Sequence, residues 1–391
     1  MTGRLPPAGR PLGGDAWGAA LSGFLRPREE GERFAAALGE RFGGAVIRLH
    51  PSGRAALRSV LLACRTLRPE RPEVVLGAYT CWSVPAAIRR TGLVPRPVDL
   101  DPETLDFDAA ALAGVDGEKV AAVVTHHLCG LPNDTARLEE AARSWGAFLV
   151  DDGAQAFGAR FRGGAVGSAG AAGILSFGRG KGLPALGGGA VVIPGGSPLA
   201  GVIPDGAPPV RGGGGVILAV LHGLFFRPSL YGIPAVLPFL HVGETNYDEN
   251  FAEGRPSGSE AALGARLLSS EPEDRAGRIR IAAEYREGLA GVPGIRIPTP
   301  IEGAEPSYIR FPLLLPAHAK ERFIARAAPL GASPYYPAPV TAIPAAAPIE
   351  TGGPWPGAES IAARLVTLPV HPRVGERERR RLMEMVREAV R

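Results

Sequence analysis

Two stretches decide how this chain reads: FLVDDGAQAFGA, residues 148–159, and ILSFGRGKGLPALGGGAVVI, residues 174–193. The first runs apolar into a pair of acids, Asp151 and Asp152, and then turns to small residues, as a buried strand does where it ends in a turn. Working outward, AVIRLH (45–50), EVVLGA (73–78), VPRPVDL (94–100) and VAAVVTHH (120–127) repeat that form, several closing on polar residues. Between them SGRAALRSVLLACRTL, SVPAAIRRTG and DTARLEEAARSWG carry apolar residues three and four apart, which suits helices. Strands alternating with helices predict an α/β fold with a mostly parallel sheet. In such sheets ligands gather at the carboxyl ends of the strands, where these polar residues fall.

The second stretch holds Lys181 among glycines, and the chain has only two other lysines, Lys119 and Lys320, in a background of many arginines. Arginine is too basic to release its proton, so chemistry that needs a neutral amine must use lysine. A pyridoxal 5'-phosphate (PLP) site requires an amine for an imine, an acid beside the pyridine nitrogen, a hydroxyl and amides for the phosphate, and small residues for close approach. Lys181, Asp152, Ser176 and the surrounding glycines supply each of these.

The order Asp151-Asp152-Gly153-Ala154-Gln155-Ala156, then Ser176-Phe177-Gly178-Arg179-Gly180-Lys181, then Gly187-Gly188-Gly189, resembles the DegT/DnrJ/EryC1/StrS family of sugar aminotransferases. The resemblance runs from roughly residue 20 to 320. It implies PLP-dependent transferase fold type I (aspartate aminotransferase-like), with a large domain over 1–255 and a smaller C-terminal α+β domain over 256–391. It implies further that Lys181 holds PLP as a Schiff base and shuttles protons, Asp152 pairs with the pyridine nitrogen, Gln155 meets the ring hydroxyl and Ser176 the phosphate. HPSGRAAL (50–57) resembles the family's phosphate-binding turn and assigns Gly53 and Arg54 to the phosphate, with Arg54 standing where threonine is usual. In AYTCWSVPAAIRRTG the stacking position over the ring falls on Cys81 by spacing, with Thr80 as anchor, and Trp82 is the nearby aromatic expected to cover the ring. THHLCGLPND places His127 and Gly130 near the cofactor. Ahead of Ala261-Ala262 the family carries Asn, one residue, Arg. Here Arg255 matches, but Glu253 stands in place of the Asn that reaches a partner subunit, and Asn246 lies seven residues earlier.

Composition narrows the alternatives. The 391 residues, 45% hydrophobic, suffice for a full core, and the net charge of +4 from 43 basic and 39 acidic residues is scattered, which predicts no nucleic-acid partner. Cys64, Cys81 and Cys129 are odd in number and no apolar signal core opens the chain, so reduced thiols and a cytoplasmic location are expected. His126, His127 and Cys129 lack a second paired cluster, so no metal site is expected. Gly180-Lys181 is followed by Gly182, which breaks the phosphate-loop pattern. The apolar segment Val216–His241 is interrupted by Arg227-Pro228, Pro234 and Pro238, so it reads as buried helices, a dimer contact or a peripheral membrane contact and not as a span.

The function the resemblance implies is transfer of an amino group from an amino-acid donor such as glutamate to a keto-sugar carried on a nucleotide, by a homodimer. Three alternatives stand beside it: sugar dehydration on the same fold, whose enzymes typically replace the lysine with histidine; amino-acid chemistry alone; and a non-catalytic scaffold or regulatory role.

Overall fold

The computed structural model describes residues 4–205, 207–211, 213–235, 247–343 and 353–391. The N-terminal half runs α1 (Gly14–Leu25), α2 (Pro27–Arg41), β1 (Val46–His50), α3 (Gly53–Leu67), β2 (Glu73–Gly77), α4 (Ser83–Arg90), β3 (Val94–Val98), α5 (Ala109–Ala113), β4 (Val120–Val124), α6 (Thr135–Ser144) and β5 (Phe148–Asp152). Then follow β6 (Arg160–Phe161), β7 (Gly164–Ala165), β8 (Ala172–Ser176), β9 (Gly189–Ile193), α7 (Gly213–Phe225), α8 (Pro228–Ala235), α9 (Gly258–Leu268) and α10 (Glu271–Gly288). The remainder is β10 (Ala304–Glu305), β11 (Phe311–Leu314), α11 (Ala317–Ala327), β12 (Ser333–Pro334), α12 (Pro356–Arg364), β13 (Leu365–Leu368) and α13 (Glu376–Ala389).

The main sheet has seven strands in the order β1-β9-β8-β5-β4-β2-β3. Neighbours from β8 to β3 pair in parallel, and β9 runs antiparallel to both β8 and β1. The alternation of side chains explains the two covered faces. Val74 and Leu76 of β2 and Ala122 and Val124 of β4 pack on α3 and α4, whereas Val75 and Val123 pack with Leu112 of α5 and Leu138 of α6. β3 forms one edge, and its Pro95 and Pro97 pair in register with Val74 and Leu76. With β9 as the single reversed strand, the carboxyl ends of β1, β2, β4, β5 and β8 emerge on one side. The sequence puts Ser52-Gly53, Thr80-Cys81, His127, Asp152 and Ser176 there.

Beyond it, β11, β13 and β12 form a three-stranded antiparallel sheet, whose Phe311, Leu313, Val366 and Leu368 share a core with Tyr285 of α10, Phe323 of α11 and Leu382 of α13. Helix α9 packs on α1 and α2, and Gly23 and Gly258 meet there so closely that a Cβ on either would collide with the other's carbonyl. The strands β6, β7 and β10 make a small separate sheet. Among the described residues no helix is long and apolar enough to cross a membrane. The apolar segment forms α7 and α8, which break at Arg227-Pro228, and its last residues, 236–241, lie outside the described residues.

Candidate active site

At the carboxyl ends of the strands lies a cavity of about 260 Å³ lined by Gly53, Arg54, Cys81, Asp152, Gln155, Ser176 and Lys181 among others. Its floor is the N-terminus of α3. The Ser52 side chain caps this helix by accepting from the Ala55 amide at 3.1 Å, which leaves the Gly53 and Arg54 amides without helical acceptors. Gly53 is required by packing, since a Cβ there would stand 2.7 Å from Ser176 Cβ. The helix start and the Ser176 hydroxyl therefore share one wall, an arrangement that favours an anion. Lys181 follows Ser176 through a turn closed by its amide donating to the Gly178 carbonyl at 3.0 Å.

The two acids at the end of β5 serve different ends. Asp151 is fully buried and accepts from the Gly167, Ser168 and Ala169 amides at 2.7, 3.0 and 3.0 Å, from the Thr125 hydroxyl at 3.2 Å and from His127 Nε2 at 2.6 Å. His127 Nδ1 accepts from the Asn133 amide at 2.8 Å, so the proton of this imidazole sits on Nε2 and is donated to Asp151. Burial alone would raise the Asp151 carboxyl, but His127 and the amides outweigh it and hold it below the usual carboxylate range.

Asp152 has the opposite character. Burial pushes its carboxyl up to about 6, against the pull of the Ala154 amide it caps at 3.0 Å and the Lys181 ammonium. A buried acid facing a cavity, with its charged form disfavoured, is suited to a cationic ligand atom. Gln155 Oε1 accepts from the Cys129 amide at 3.1 Å and from the Tyr335 hydroxyl, while its Nε2 donates to the Tyr336 hydroxyl at 2.8 Å. Neither tyrosine carries a sequence signal, because both come from the C-terminal sheet and only the tertiary fold delivers them.

Other expected residues lie elsewhere. Trp82 does not line the cavity. Its indole N–H is donated to the Ala338 carbonyl at 3.3 Å and its ring packs in the core beside α3 and α4, so the residue at the wall is Cys81. His127 sits behind Asp151, and Gly130 packs against Tyr308 with a left-handed φ of 87°. Arg54 lines the cavity, but its guanidinium donates to the Asp248 carbonyl at 3.2 Å and lies over the Phe251 ring. Glu253 pairs within its own chain, with Arg58 at 3.0 Å and Arg90 at 2.5 Å, which leaves it committed to α3 and α4. Asn246 lies outside the described residues. No group of residues suited to hold a metal ion occurs among the described residues.

The model of the DegT/DnrJ/EryC1/StrS aminotransferase family matches residues 19–197 and 252–387. A dTDP-3-amino-3,4,6-trideoxy-alpha-D-glucose transaminase of Streptomyces venezuelae is 27% identical over 317 residues, which cover 81% of this chain and 76% of that protein. A Geobacillus stearothermophilus protein named pleiotropic regulatory protein is 28% identical over 321 residues, 81% of this chain and 78% of its own. The crystal structure of the aminotransferase TlmJ from Streptoalloteichus hindustanus shares the fold, with a TM-score of 0.74 at 24% identity over 99% of both chains. With the type I fold of PLP-dependent transferases and a family match over most of its length, this chain is an enzyme that belongs to the DegT/DnrJ/EryC1/StrS aminotransferase family.

Proposed function

We propose that the chain uses PLP to transfer an amino group from an amino-acid donor, glutamate in the first instance, to a nucleotide-linked keto-sugar. The observation that carries this is the meeting of Lys181, Asp152, Gln155, Ser176 and the α3 N-terminus around one cavity. These residues fit PLP. The buried, raised carboxyl of Asp152 would face the pyridine nitrogen and be ionised by it, and the Gly53 and Arg54 amides with the Ser176 hydroxyl would hold the phosphate. The Arg54 guanidinium is taken up by Asp248 and the Phe251 ring, so only its amide would serve the phosphate. Gln155 would donate Nε2–H to the ring oxygen.

Bound there, PLP supplies an electron sink for the pair released when the donor's Cα–H bond breaks. Lys181 Nζ would hold the cofactor and, once freed by the donor amine, would take the proton from Cα and deliver it on the cofactor side. The donor's carbon skeleton would leave as a 2-oxo acid whose new oxygen comes from water, and Lys181 would move the proton in the opposite sense as the keto-sugar takes the nitrogen and gives up its oxygen as water. Cys81 stands at the wall where a stacking residue is expected, so polar contacts would do more than an aromatic face to hold the ring. The reading includes the division near residue 255/256, a homodimer and a cytoplasmic location.

The test is an absorbance spectrum of the protein with PLP, before and after glutamate, for wild type and Lys181→Ala. A lysine-linked band in wild type that borohydride fixes and glutamate bleaches, absent in the variant, is expected. A wild type with no such band would overturn the reading.

A further inference from the structure

Residues 335–340 cross from the C-terminal sheet onto the end of β2 and are stitched to it. The Tyr79 hydroxyl donates to the Tyr336 carbonyl at 3.0 Å and accepts from the Tyr336 amide at 2.9 Å. The Val340 amide donates to the Ala78 carbonyl at 2.8 Å, and the Trp82 indole to Ala338 as described. This strap carries two adjacent tyrosines whose rings lie 4.5 Å apart and whose hydroxyls both end on the Gln155 amide. Tyr335 has Arg310 over its ring at 5.6 Å, and Cys81, Cys129 and Tyr79 are the other titratable groups around the pair. Burial holds both hydroxyls far above the usual phenol range, so they stay neutral donors and acceptors.

The bonding leaves Gln155 one orientation. A backbone N–H can only donate, so Cys129 requires Gln155 Oε1 on its side, and Tyr335 adds a second donor to the same oxygen. Nε2 then faces Tyr336, which takes one of its two hydrogens. One N–H of Gln155, a residue lining the cavity, is left over. The carbonyl end, which would repel an anionic oxygen, is satisfied by two donors.

We propose that Tyr335 and Tyr336 are positioning residues that fix the Gln155 amide with its spare N–H toward the ring oxygen of the cofactor, so that the seating of the C-terminal strap sets the cofactor's acid–base state. This rests on the PLP reading above. An N–H donated to the ring oxygen favours its ionised form and lowers the pH at which the lysine-linked chromophore gains its proton. Freed from its tyrosines, the amide can rotate away.

The experiment is a pH titration of the absorbance of the PLP-bound protein for wild type, Tyr335→Phe, Tyr336→Phe, Gln155→Ala and the double variant Gln155→Ala/Tyr336→Phe, with thermal midpoints of each. Each single variant should move the transition upward by roughly one pH unit, the worth of one hydrogen bond to a charged group. The double variant should move no further than Gln155→Ala alone. Tyrosine variants that keep the wild-type transition, or that add a further shift once Gln155 is gone, would overturn the proposal even if they fold. Should a tyrosine variant not fold, Gln155→Ala decides: a transition left in place shows that the amide does not act on the ring oxygen. A wild type with no lysine-linked band is a different failure, of the PLP reading itself.

Discussion

Asp151 and Asp152 are neighbours in sequence and opposites in chemistry. Asp152 binds its proton more tightly in the folded apoprotein than unfolded, so its contribution to stability is complete below about pH 4 and is lost as pH rises through about 6. The loss has an upper bound of about 3 kcal/mol. Asp152→Asn, neutral throughout, should raise the thermal midpoint of the apoprotein at pH 8 by a few degrees, narrow that gain toward pH 5, and weaken PLP affinity at least roughly tenfold. A gain of equal size at both pH values would mean that charge is not its cause. Asp151→Asn should do the reverse of a gain. It strips charge from a buried acceptor of five hydrogen bonds and should cost about 3 kcal/mol or more, read by denaturant unfolding at pH 7. The sequence announced that an acid pair closes a buried strand. It did not announce which acid is anchored, because Asp151's partners at 167–169 are brought in by the fold. For the same reason Trp82 reads as a stacking residue in sequence, although its indole is consumed by a carbonyl more than 250 residues away.

At the scale of elements, local pattern was a faithful guide wherever one strand or helix buries its own face. The runs at 45–50, 73–78, 94–100 and 120–127 became β1 to β4, and the start of 148–159 became β5, with ends displaced by a few residues. What no periodicity could supply is strand order, the reversal of β9, or the strap at 335–340, since these depend on pairings between distant segments. The contact of α3 with β8 is of that kind and gives a sharp prediction. Gly53→Ala should push the helix start off Ser176, destabilise by about 1–3 kcal/mol and lower PLP affinity more than it lowers the thermal midpoint, both measured on the same preparation. An alanine tolerated without loss of affinity would separate the helix start from the phosphate.

For the molecule as a whole, the proposed homodimer predicts sedimentation at twice the 40.6 kDa chain mass. Because Glu253 is held by Arg58 and Arg90, Glu253→Ala should leave that mass unchanged and loosen the segment around Phe251, visible as faster amide exchange there. Dissociation on the same substitution would instead give Glu253 the intersubunit role its position suggested.

The prolines of β3 bear on what a covered sheet edge requires. The Val94 amide points inward to Pro72, and in a strand alternate amides face opposite ways, so positions 95 and 97 are those whose N–H groups would point away from β2. Both residues are buried, so a donor at either position would be cut off from water with no strand beside it to accept. Proline has none to offer, and the border of the main sheet is closed there without an orphaned N–H. Replacing both with valine should leave the spectrum of the bound cofactor untouched while lowering the thermal midpoint by several degrees; an unchanged midpoint would mean that the new donors find acceptors.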